Sequence, residues 1–248
     1  MKSIRRRLSP IKHFVLDICD MVERQFSSPE SVFTDIYRKR KWGAPTTADD
    51  FDSGLGSTAS ETVDAYVSAV ISAASRNGFV GTTFVDIGCG DFRIGSRLTP
   101  VAGRYIGVDI VRPLIGRNRR LFTQDNVRFE HIDATRDRLP EGDVCFLRQV
   151  LQHLSNRQIA AILRKLGQYK WVIITEHVPK DADMIQPNLD KLHGADIRVH
   201  RNSGVYLDQP PFGIPSTKLS LILEVPGTDL GPGVDPGIIR TYLYEPSK

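Results

Sequence analysis

Two acids and two glycines fall within six residues of one another in Phe84-Val85-Asp86-Ile87-Gly88-Cys89-Gly90-Asp91-Phe92-Arg93-Ile94-Gly95. The apolar run Thr82 to Ile87 ends in Gly88 and Gly90, and Ile94 and Leu98 follow one helical turn apart. This pattern predicts a buried strand, a tight turn and a helix start. Glycines let backbone approach a ligand where a Cβ would intrude. A helix N-terminus adds free N–H groups and partial positive charge. Such a turn suits a nucleotide-like ligand at the carboxyl edge of a parallel sheet. A dinucleotide fingerprint asks for Gly-x-Gly-x-x-Gly. Gly88 and Gly90 fit it, but Arg93 stands at the third position. Asp86 and Asp91 flank the glycines, and acids there suit an amine-bearing cation better than a pyrophosphate.

Further acids and polar groups recur at the ends of expected strands. Asp109 and Ile110 close Tyr105-Ile106-Gly107-Val108-Asp109-Ile110, nineteen residues after Gly90. A carboxylate there can accept both hydroxyl hydrogens of a ribose, a device shared with nicotinamide enzymes. Asp133 and Ala134 close the run beginning at Phe129, with helix capping as the rival role for the acid. Arg148, Gln149, Gln152 and His153 follow the run from Gly142, and Ser155 is a good N-cap for the next helix. His177 ends Thr175-Glu176-His177. No His, Cys or acid cluster has metal-ligand spacing, so no metal is expected.

Positioning these residues requires strands at 83–87, 105–109, 127–131, 143–148 and 171–176. Helices are expected between them at 93–99, 112–122 and 156–167. Alternation of this kind predicts a parallel sheet with right-handed crossovers. Lys218–Val225 and Ile238–Tyr244 read as two strands joined by a Gly/Pro-rich loop, hence an antiparallel pair. Upstream, Glu61–Arg76 and Ser31–Trp42 read as helices. Residues 4–24 read as an amphipathic helix interrupted near Pro10.

The set in order, residues 82–155 with the terminal strand pair, resembles the class I S-adenosylmethionine-dependent methyltransferases. Phe92 stands where that family often has a third glycine. Tyr-x-x-x-x-Trp-Gly at 37–43, followed by Ser53-Gly54-Leu55-Gly56-Ser57, resembles the N-terminal signature of a bacterial group of these enzymes. The resemblance implies an α/β fold: a Rossmann-like, mostly parallel sheet ending in an antiparallel hairpin, with an N-terminal helical extension. It implies S-adenosylmethionine as cofactor and an N-terminal loop that closes over it. It implies Asp133 on the adenine amino group, Ala134 offering a backbone N–H, and the 148–153 edge facing the methyl group. The cofactor set expected is thus Asp86, Gly88, Gly90, Asp109, Ile110, Asp133, Ala134, Arg148 and Gln149. Methyl transfer to a hydroxyl needs a proton acceptor, and a His with a pKa near ~6.5 serves. His153 is the first choice, with Gln149 and Gln152 beside it; His177 is the second.

Domain boundaries are expected at 1–60 for a helical arm and cofactor-covering loop, and 61–248 for the methyltransferase domain. Residues 181–216 are a substrate-side insertion whose polar groups, near Tyr206, Phe212 and Trp42, suit a polyhydroxylated acceptor such as a sugar or cell-surface glycan. The 248 residues carry a net charge of +4. Lys2, Arg5, Arg6, Arg7 and Lys12, with Arg38, Lys39, Arg40 and Lys41, are nine cations; without them the remainder stands at −5. A mildly acidic body argues against a broad nucleic-acid face. The basic arm reads as a solvated segment that is also compatible with an anionic membrane surface. No apolar run approaches ~20 residues. Three cysteines without metal spacing suit a reduced, cytoplasmic protein. An RNA or small-metabolite methyltransferase, a non-catalytic scaffold that binds the cofactor, and a nicotinamide oxidoreductase are the alternatives.

Overall fold

The computed structural model describes residues 27–43, 51–54, 56, 59–183, 185–228, 230 and 235–246. The amphipathic helix expected at 4–24 and the first basic cluster lie outside them. Helix α1 spans Pro29–Arg38, with Ser28 capping through a hydrogen bond from Ser31 N and Pro29 in the first turn. Helix α2 spans Ser60–Asn77 and ends on Gly78, whose φ of 71° is the left-handed C-cap conformation. Its buried face is Val63, Tyr66, Val67, Val70, Ala73 and Ala74, the i, i+3, i+4, i+7 stripe of an amphipathic helix.

Strand β1 is Thr83–Ile87, followed by a single helical turn, α3, at Gly95–Leu98. Then come β2 at Arg104–Asp109, α4 at Arg112–Leu121, β3 at Val127–His131 and β4 at Val144–Arg148. Helix α5 is Asn156–Leu163, opened by the Ser155–Gln158 capping box. Strands β5 at Trp171–Val178, β6 at Leu219–Pro226 and β7 at Ile238–Tyr244 complete the chain. The seven strands form one sheet in the order β3-β2-β1-β4-β5-β7-β6. The first five are parallel, and β7 is antiparallel to both neighbours. The last strand therefore slots between β5 and β6, leaving β6 on the edge.

Strand alternation splits the core into two faces. Val85, Ile87, Ile106, Val108, Cys145, Leu147, Val172 and Ile174 pack with α1 and α5. Phe84, Tyr105, Phe146, Trp171 and Ile173 pack with α2. Phe33 and Ile36 of α1 belong to the first cluster, so this helix docks on the sheet domain. Two crossovers depart from a repeated strand–helix unit. Residues 132–143 join β3 to β4, and 179–218 join β5 to β6, without an α-helix among the described residues. The long one is held by side chains. Asn188 Nδ2 donates to the carbonyls of Tyr206, Gln209 and Pro210, and its Oδ1 accepts from Tyr206 N.

Candidate functional site

Strands β1, β2, β3 and β4 end along one rim, and their ends surround a cavity roofed by α1. All nine residues expected to bind a cofactor line it: Asp86, Gly88, Gly90, Asp109, Ile110, Asp133, Ala134, Arg148 and Gln149. His153 lines it as well; His177 does not.

The floor is the loop after β1. Gly88 N and Cys89 N both donate to Val108 O, turning the chain sharply at the sheet edge. A Cβ on Gly88 would lie 2.5 Å from a Val150 methyl, and one on Gly90 would lie 2.6 Å from Ser53 Oγ. The loop is thus pinched between the segment after β4 and the segment after α1. Phe92, at the position where a third glycine is common in the resembling family, keeps a left-handed φ of 62°. Its ring is fully buried against Tyr105, Phe122 and Phe129 at centroid distances of 5.2, 4.9 and 4.7 Å. Aromatic packing offsets the backbone strain of a side chain there.

Asp109 is buried, its Oδ1 accepting from Val111 N and its Oδ2 from Gly90 N. Burial raises its pKa, opposed by those two N–H groups. Asp133 Oδ1 accepts from Thr135 N and Oγ1. Ile110 and Ile132 form an apolar slot between these acids. Asp86 accepts from Tyr105 Oη at 3.0 Å, yet burial pushes its carboxyl up to about 7. Arg148 lies over the Tyr66 ring at 4.9 Å and donates to Gly56 O. Two acids flanking an apolar slot, with a third acid beyond the glycines, fit a nucleoside bearing an amine. No cluster of three or more His, Cys, Asp or Glu residues that could hold a metal occurs among the described residues.

The roof includes Tyr37 and Trp42 of the Tyr-x-x-x-x-Trp-Gly stretch, with Ser53 beside them. Tyr37 Oη and Ser53 Oγ lie 3.1 Å apart, Asp91 N donates to Ser53 Oγ, and Ser53 N donates to Asp91 Oδ2. Trp42 meets Tyr37 edge-on at 5.0 Å and faces the His153 ring at 5.0 Å. The Nε1 of Trp42, Nε2 of Gln149 and Oε1 of Gln152 are buried without a hydrogen-bond partner. Such groups are rare in folded proteins, and those of Trp42 and Gln149 lie on the cavity lining, where a ligand could meet them.

His153 sits in the 3₁₀ turn Leu151–His153. Its Nδ1 lies 3.1 Å from Gly194 O; a carbonyl only accepts, so Nδ1 carries the hydrogen and Nε2 the lone pair. Burial, then the nearby Lys191 ammonium, lower its pKa to about 4. His177 turns instead toward the β6–β7 connection and donates from Nε2 to Pro236 O. Glu176, on the opposite face of β5, points to the turn that carries His153: its two oxygens accept from Leu151 N and Gln152 N. Burial pushes its carboxyl up to about 8 against the pull of those donors and of Arg198. The polar groups of 188–212, expected as a substrate wall, are absent from the lining of the cavity. Asn188 and Arg198 instead hold loops together.

A family profile described as a methyltransferase domain matches residues 84–169. No curated protein matches the chain at a significant level. Among solved structures, it is similar to magnesium protoporphyrin IX methyltransferase from Synechocystis PCC 6803 with bound S-adenosylhomocysteine. The identity is 16% and the TM-score 0.53, covering 88% of this chain and 99% of that one. It is also similar to TehB from Haemophilus influenzae, at 13% identity and TM-score 0.50, covering 71% of this chain and 60% of that one. At these identities the likeness carries the fold, and the fold agrees with the profile. Residues 84–169 thus match a methyltransferase-domain family, and they sit in a Rossmann-like, mostly parallel sheet that ends in an antiparallel hairpin, the fold of class I S-adenosylmethionine-dependent methyltransferases.

Proposed function

We propose that the protein transfers a methyl group from S-adenosylmethionine to a hydroxyl oxygen of a sugar-like acceptor lying against Trp42 and His153. The observation that carries this reading is the state of His153. It is neutral at pH 7, with Nδ1–H tied to Gly194 O and the Nε2 lone pair met only by the Gln152 Nε2 donor at 3.4 Å, a long contact that an acceptor hydroxyl would replace. An ammonium acceptor would need a far stronger base than a ring held near about 4. A hydroxyl becomes strongly acidic only as its oxygen bonds to carbon, and a weak neutral base suffices at that moment.

Bound S-adenosylmethionine supplies an electrophilic methyl group on a sulfonium. Asp109 and Asp133 would hold the nucleoside end, and Asp86 would meet the amine. His153 Nε2 accepts a hydrogen bond from the acceptor hydroxyl, aims its lone pair and takes the proton as the new O–C bond forms and the S–C bond breaks. Alignment at roughly 3–3.5 Å is the larger contribution. Trp42 Nε1 and Gln149 Nε2 are uncharged donors on the cavity lining beside an aromatic face, a pair suited to a ring bearing several hydroxyls.

Tritiated S-adenosylmethionine incubated with the protein and its host's lysate tests this, with Asp109→Ala as the control. Label in a nuclease- and protease-resistant carbohydrate fraction is expected. Label in RNA overturns the acceptor class. His153→Ala is expected to lower label transfer by roughly 100-fold or more while leaving S-adenosylhomocysteine affinity unchanged. Full transfer by that variant removes His153 from the reaction.

A further inference from the structure

We propose that Glu176 and Arg198 are positioning residues for His153, gripping the 3₁₀ turn that carries it from its two ends. The proposal rests on the reading of His153 as the proton acceptor. The turn begins with backbone N–H groups that have no partner within it and ends with carbonyls of which only that of Leu151 has one, from Leu154 N. Glu176 meets the first set, its Oε1 accepting from Leu151 N and its Oε2 from Gln152 N, both at 3.0 Å. Arg198 meets the second. Its two terminal nitrogens donate to the carbonyls of Leu151, Gln152 and Leu154 and to Asn156 Oδ1, and its Nε donates to Leu189 O.

Both side chains are nearly sealed from solvent, Glu176 at 4% exposure and Arg198 at 2%. A carboxyl and a guanidinium buried this deeply are expensive to hold unless each is saturated with hydrogen bonds. Here all of those bonds but the one from Arg198 Nε to Leu189 O run to a single short turn and its flanks. A plain loop would be fixed by apolar side chains at less cost. What the arrangement adds is direction: the planar carboxyl and the planar guanidinium fix the turn's position and its rotation.

The grip extends to the imidazole. Arg198 lies four residues beyond Gly194, in the same segment. Gly194 N donates to His153 O while Gly194 O accepts from His153 Nδ1. Arg198 thus holds the turn and the strap that selects the histidine's tautomer. Neither residue reaches the cavity lining, so neither touches cofactor or acceptor.

The test uses the full chain labelled with ¹⁵N-histidine, with the His153 signals assigned by their loss in His153→Ala. Wild type is expected to show one tautomer, hydrogen on Nδ1. In Glu176→Gln and Arg198→Lys both tautomers are expected, with the ring's protonation midpoint moved up by a unit or more. S-adenosylhomocysteine affinity by calorimetry stays within threefold, and transfer of tritiated methyl into host lysate falls at least 30-fold. Asn156→Ala, which removes one of Arg198's acceptors, is the mild variant that decides the matter if the others do not fold. Unchanged His153 signals in the folded variants overturn the proposal, as does a loss of cofactor affinity and thermal stability with the tautomer intact. Failure of the proton-acceptor reading shows separately, as full label transfer by His153→Ala with the tautomer shift still present.

Discussion

Asp86 carries the clearest proton-linked consequence. Burial raises its pKa to about 7 although Tyr105 Oη donates to it, so below that pH the free protein holds a proton there. An amine cation set against it binds the carboxylate form. Cofactor affinity is therefore expected to fall toward tenfold per unit as pH drops below about 7, with proton release on binding, and to level off above it. Calorimetry of S-adenosylhomocysteine in buffers of different ionisation enthalpy measures both, and Asp86→Asn is expected to flatten the profile. At this scale the sequence was informative where residue type and strand end coincide, as at Asp109 and Asp133. It misled at His177, because the ends of β5 were read without their parity. Val172 and Ile174 share a face with Leu151 and Leu154, and continuing that alternation brings Glu176, not His177, to the turn that carries His153. Tyr66 and Tyr105 gave no signal, since they read as helix and strand core until the α2 face is folded onto Asp86.

At the scale of elements, the loop from β1 to α3 shows how a strained residue is retained. Phe92 has the left-handed backbone of a glycine and the packing of a core aromatic. Gly95 accommodates it, since a Cβ there would come within 2.4 Å of the Phe92 ring. Phe92→Gly relieves roughly 1–2 kcal/mol of backbone strain and gives up about 3–5 kcal/mol of packing. A net loss of about 2–3 kcal/mol in urea unfolding is expected, and a stabilised variant would show that strain dominates. Periodicity located every described strand to within about two residues, because fully buried strands are continuous apolar runs bounded by turns. The long crossover after β5 was legible only as irregular. Its hydrogen bonds are nearly all side chain to distant backbone, and Asn188 and Arg198 look in sequence like any polar loop residues.

For the whole molecule, the N-terminal segment is part of the catalytic body. Pro29, Phe33, Tyr37 and Trp42 line the same cavity as the sheet edge. Deletion of residues 1–26 and deletion of residues 1–41 therefore ask different questions. The longer deletion removes the roof, and S-adenosylhomocysteine affinity is expected to fall at least 30-fold relative to the shorter one. Equal affinities would show that the floor alone holds the cofactor. One residue, Ser53, lies between Tyr37 Oη and Asp91, so it is one of the polar links between roof and floor, beside the bond from Arg148 to Gly56 O. Each such bond contributes a net ~0.5–1.5 kcal/mol, within reach of openings on the microsecond-to-millisecond scale. Exchange of product for fresh cofactor beneath that roof is then expected to depend on a serine far in sequence from the strand ends it covers.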